Sequence, residues 1–200
     1  MRRTACLVWL GCAISLGYAT PVLAGRLPQQ VNRATAGWPL GDFVLTDHRG
    51  APFTQENLRG RWTLLLLEDG CGAPCEAALT ALAGVYRRIG QTQAIRTMQV
   101  VLVLPAPDGD PPGRLGQSLA RFDPRFIGAV GSRPALQGLA DDLRAALPGP
   151  ASEVPSSDTS PSGAGSIWVV GPDGILRGEL LPPFDVRLLT AELMRTRARR

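Results

Sequence analysis

Cys71 and Cys75 are the residues with the clearest capacity for chemistry. They lie four apart in LEDGCGAPCEA. Two thiols so spaced can bond to each other or, as thiolates, hold a soft metal ion. Their surroundings decide how well they do either. Before them runs WTLLLL at residues 62–67, apolar throughout, which reads as a strand covered on both faces. After them Leu79, Leu82, Ala83 and Tyr86 recur at helical spacing, and Pro74 suits a helix start. Cys71 is therefore expected on a loop above a strand end and Cys75 in a first helical turn. Unpaired N–H groups and the macrodipole favour a thiolate there. Glu68, Asp69 and Glu76 oppose it, so no strongly acidic thiol is expected.

The elements that must position the pair follow from the pattern of the rest of the chain. DFVLTD at residues 42–47 alternates as a strand, Arg49-Gly50 turns it, and Pro52-Phe53-Thr54 returns, an N-terminal β-hairpin. Thr54 is placed to cap a short turn through Leu58. MQVVLVL at 98–104 is a second buried strand, and a crossover of this length makes it parallel to the first. Residues 114–121 read as a short helix, 125–130 as a strand, and 134–147 as a helix with Leu136, Leu139, Leu143 and Leu147 on one face. Strand 166–170, the turn GPDG and strand 175–181 form a second hairpin, and a helix over 184–195 closes the chain. Residues 148–165, rich in Pro, Ser and Gly, are expected to be a flexible loop. The sum is an α/β domain with a mixed central sheet flanked by helices. With a thiol pair at its first long helix, the thioredoxin-like layout is the natural candidate.

Length and charge set the outer bounds. Two hundred residues suffice for one cored domain. The formal charge is +4 and every basic residue other than His48 is Arg. These are scattered, without an aromatic-interleaved basic patch, so nucleic acid is not expected as a partner. Arg2 and Arg3 precede an apolar stretch, and Val22 and Ala24 fit cleavage after Ala24. Residues 1–24 thus read as a signal peptide or, since residues 5–24 are long enough to span a bilayer, a membrane anchor. Residues 25–40 read as an extended leader over the surface, and 41–200 as the domain. Cys6 and Cys12 fall in the targeting segment, leaving Cys71 and Cys75 alone in an exported, periplasmic domain.

Five segments resemble the Sco/SenC family of exported, thioredoxin-fold copper proteins. They are DFVLTDHRGAPFT followed by LRGRW, the C-x-x-x-C of Cys71 and Cys75, DPPGRL, FDPRFIGAVGS and IWVVGPDG. The resemblance implies a copper chaperone that supports assembly of the dinuclear copper centre of cytochrome c oxidase. Cys71 and Cys75 would be its copper ligands, and the oxidase's copper-site subunit or another redox or copper client its partner. It also implies a third ligand, a histidine, at the position that Gly163 holds here. His48, the one histidine, falls in the N-terminal hairpin. Two thiolates alone suit copper(I) better than copper(II), which prefers nitrogen ligands. The alternative is a thiol–disulfide oxidoreductase acting on client cysteines through Cys71 and Cys75 without stable metal.

Overall fold

The computed structural model describes residues 29–90, 92–106, 113–147 and 165–198. The expected targeting segment, Gly163 and nearly all of the expected loop lie outside them. Among the described residues eight strands form one sheet, in the order β1-β8-β7-β4-β5-β6-β2-β3. The strands are β1 (Val31–Pro39), β2 (Val44–Asp47), β3 (Pro52–Thr54), β4 (Trp62–Leu67), β5 (Met98–Pro105), β6 (Ile127–Gly131), β7 (Ile167–Val170) and β8 (Ile175–Leu180). The helices are α1 (Ala73–Ile89), the single turn α2 (Gln93–Arg96), α3 (Gly113–Ala120), α4 (Arg133–Ala145) and α5 (Val186–Ala198).

β4 lies in the interior of the sheet because its sequence leaves it nowhere else to go. All six of its residues are buried. It pairs parallel to β5 and antiparallel to β7. Side chains alternate between two apolar layers, as strand geometry requires. Leu64 and Leu66 face a core built with α1 and α5, and Leu65 and Leu67 face one built with α4. The expected N-terminal hairpin forms as β2 and β3, paired antiparallel at one edge of the sheet. Thr54 caps a 3₁₀ turn over Gln55–Leu58 through a reciprocal box with Asn57.

Residues 25–40 were expected as a leader over the surface. From Val31 onward they form instead an edge strand, β1, antiparallel to β8. Its partner lies about 140 residues later in the chain, beyond the reach of any local pattern. α5 fastens it: Arg33 Nη2 lies 2.6 Å from Oε1 of the buried Glu192. No helix among the described residues is long and apolar enough to cross a membrane.

Between α3 and β6 the turn at Asp123 is pinned to α1. Arg125 donates from Nε and Nη2 to the two Asp123 carboxylate oxygens, at 2.8 and 2.6 Å. Its guanidinium also lies 4.8 Å from the centre of the Tyr86 ring, which meets Phe126 edge-on at 5.3 Å.

Candidate functional site

The strand ladder delivers the sulfurs to the rim of the sheet. Glu68 still donates its backbone N–H to Val103 O, at 3.1 Å, so β4 stays paired to its last residue. Asp69 and Gly70 then leave the sheet, and Gly72 stands at the N-cap of α1, where it has no side chain to satisfy the free N–H groups. Glu76 N–H closes the first helical turn on Gly72 O at 3.0 Å. Pro74 lies in that turn, where a missing N–H costs nothing. As expected, Cys71 falls on the loop and Cys75 in the first turn.

The two sulfurs are joined in a disulfide, with the Cα atoms 5.2 Å apart. Their exposures differ sharply. Cys71 is exposed, while Cys75 is only 1% exposed and packs in the α1 core. The pair therefore presents one reachable sulfur and one sealed one. Beside the loop, a cleft of about 350 Å³ is lined by Asp69, Pro105, Arg133, Pro134, Leu136 and Gln137. Arg133 Nη1 stands 3.9 Å from Asp69 Oδ1 across it. Both side chains are at least half exposed, and such a pair contributes little stability.

Glu68 is not the surface carboxylate that a strand-ending acidic residue suggests. It is 3% exposed. Its Oε1 accepts the backbone N–H of Gly165 at 2.8 Å. Gly165 has φ +79°, and a Cβ there would lie 2.8 Å from Pro74 O. Gly165 thus links the Glu68 carboxylate to the Pro74 carbonyl within the sulfur-bearing turn. Alternation was the available signal: Glu68 shares the parity of Leu64 and Leu66, which face α1.

His48 lies elsewhere. It follows β2, three strand spacings from β4, about 14 Å across the sheet. Gly128 N–H donates to its Nδ1 at 3.2 Å, and His48 N–H donates to Gly128 O at 2.7 Å. α3 rests on the ring: a Cβ on Gly116 would come within 2.6 Å of His48 Cδ2. The histidine is a fastener between β2, β6 and α3. Among the described residues no three His, Cys, Asp or Glu side chains come together as a metal site.

Residues 33–196 match the family model described as SCO1/SenC. This chain belongs to the SCO1/SenC family. Among similar proteins, one from Stutzerimonas stutzeri, named as a candidate copper-binding protein, is 36% identical over 145 residues, covering 71% of this chain and 69% of that one. The mitochondrial SCO2 homologue of Mus musculus is 27% identical over 137 residues, covering 68% of this chain and 53% of its own. The chain thus spans little more than half of that relative. The structure is also similar to yeast Sco1 with copper bound, at a TM-score of 0.66 and 20% identity, over 82% of this chain and 91% of that one. At this identity the likeness is one of fold, and it makes this SCO1/SenC chain thioredoxin-like, as expected.

In this SCO1/SenC chain the donor set within the described residues is the two sulfurs. Opening the disulfide converts it from a sulfur–sulfur bond to two thiols, one at the surface. Copper(I), which accepts low coordination and prefers sulfur, fits such a pair. Copper(II) finds no imidazole beside them among the described residues.

Proposed function

We propose that this protein is an exported, periplasmic copper chaperone that holds copper(I) between Cys71 and Cys75 and supports assembly of cytochrome c oxidase. Family membership supports the role. The observation that carries the chemistry is the paired sulfurs at the rim of the sheet, one exposed. The copper ion is cargo: the reduced pair binds it as thiolates, and exposed Cys71 is where a recipient's ligand reaches it first. The recipient we propose is the oxidase's copper-site subunit, and contact with a membrane is through the N-terminal segment alone, if it is retained. Titrating the reduced protein tests the reading. One equivalent of copper(I) is expected to bind, and copper(II) is expected to give no lasting thiolate charge-transfer band. A stable copper(II)–thiolate band, or no copper(I) uptake, contradicts it.

The closed disulfide supports a second reading, thiol–disulfide exchange with client cysteines at Cys71. Turnover of a dithiol substrate by the metal-free protein, lost in Cys71→Ser, distinguishes it from metal transfer.

A further inference from the structure

We infer that Glu68 is a positioning residue for the thiol pair: by fixing Gly165 against the Pro74 carbonyl, it holds the first turn of α1 where Cys75 can bond to Cys71, and so sets the redox equilibrium of the pair. This deepens the dithiol reading above and needs no metal. Three observations converge on one spot. The hydrogen bond from Gly165 N–H to Glu68 Oε1 is 2.8 Å long and buried. Gly165 is itself buried, and its φ of +79° lies where side-chain-bearing residues are disfavoured. A Cβ there would stand 2.8 Å from Pro74 O and 3.0 Å from Pro74 C, backbone atoms that cannot swing aside. Glu68 closes the strand, Pro74 opens the helix, and Gly165 is wedged between them.

Why this bears on the sulfurs follows from what opening the disulfide requires. The Cα atoms of Cys71 and Cys75 are 5.2 Å apart. Two unbonded sulfurs must separate to van der Waals contact, and with Cys75 buried the separation falls on the exposed Cys71, by rotation of its side chain or movement of its loop, unless the first turn of α1 gives way. Cys75 is anchored in the core. Holding its turn in register raises the effective concentration of one thiol beside the other. Against glutathione the exchange is balanced. The protein's S–S bond breaks and that of glutathione disulfide forms, two electrons pass to the protein, and the two glutathione protons end on Cys71 and Cys75.

The test is the equilibrium of the full chain in glutathione redox buffers, read by alkylating the free thiols. Glu68→Leu and Gly165→Ala are each expected to lower the constant for disulfide formation by about tenfold. Glu68→Gln, whose amide oxygen can accept the same N–H, is expected to stay within about threefold of wild type. The Glu68→Leu/Gly165→Ala double variant should fall no further than the lower single one, because both break the same clip. Circular dichroism identifies which variants are folded; if one single variant is not, the other and the Gln rescue decide. Folded Leu and Ala variants that match wild type overturn the inference, and so does a Gln variant that falls as far as Leu. If the shifts appear in a protein that binds no copper(I), the clip stands and the copper reading falls. If copper(I) binds and the shifts are absent, the reverse holds.

Discussion

Cys71 and Cys75 share a bond but not an environment. After reduction, Cys71 is expected to react with iodoacetamide at least about ten times faster than Cys75, because reactivity follows exposure as well as thiolate content. Mass spectrometry of the singly alkylated protein measures this, and equal labelling would contradict the burial of Cys75. Asp123 gives a second residue-scale prediction. The hydrogen bonds from Arg125 hold its carboxyl below the usual range, with burial acting the other way. A depressed folded pKa means that its stabilisation is present above the unfolded pKa, near 4, and is lost as pH falls through the folded value. Asp123→Asn should therefore cost about 1–2 kcal/mol at neutral pH, and the cost should disappear in acid denaturation series. Glu179 has the opposite sign. Burial pushes its carboxyl up, against hydrogen bonds from Ser166 and Asn32. Its ionisation therefore opposes folding as pH rises through and above the unfolded value. Glu179→Gln should raise the urea midpoint at pH 7 and have little effect below about pH 4. The thiol pair was legible because two cysteines before a helix start leave few alternatives. Glu68 was legible only in part: the parity it shares with Leu64 and Leu66 points it inward, but the partner it holds there, Gly165, lies nearly a hundred residues later.

At the scale of elements, legibility followed locality. β4, α1 and β5 declare themselves through continuous or periodic apolar residues, and the structure places them within a residue or two of expectation. The turn signals Arg49-Gly50 and GPDG mark their hairpins correctly. β1 carries no such signal: VNRATAGWP has little alternation, and its pairing is supplied by β8 and by Arg33 reaching Glu192. α2 is one turn that follows from the chain's path and from no pattern. The β1–β8 pairing yields its own prediction. At Gly178 a Cβ would stand 2.4 Å from Asn32 O, a backbone atom of β1. Gly178→Ala should therefore force β1 off the sheet edge and cost about 1–3 kcal/mol by overpacking. Faster hydrogen exchange at residues 31–33 would locate the loss, and unchanged exchange there would contradict it.

The described residues form a single sheet between two apolar layers, with the two cysteine sulfurs among them at one point on the rim. The general scaffold was readable from the sequence, since strand and helix segments alternate in the order a thioredoxin-like layout requires. The makeup of the proposed copper site was readable only as a departure: Gly163 in place of an expected histidine, and His48 committed to β6 and α3. Copper K-edge X-ray absorption on the reduced, copper(I)-loaded protein tests the central claim most directly, since it reports the ligand atoms themselves. The account predicts a low-coordinate copper(I) ion bound by the two sulfurs of Cys71 and Cys75, lost in Cys75→Ser. An imidazole scattering shell, or a copper site that survives that substitution, would contradict it.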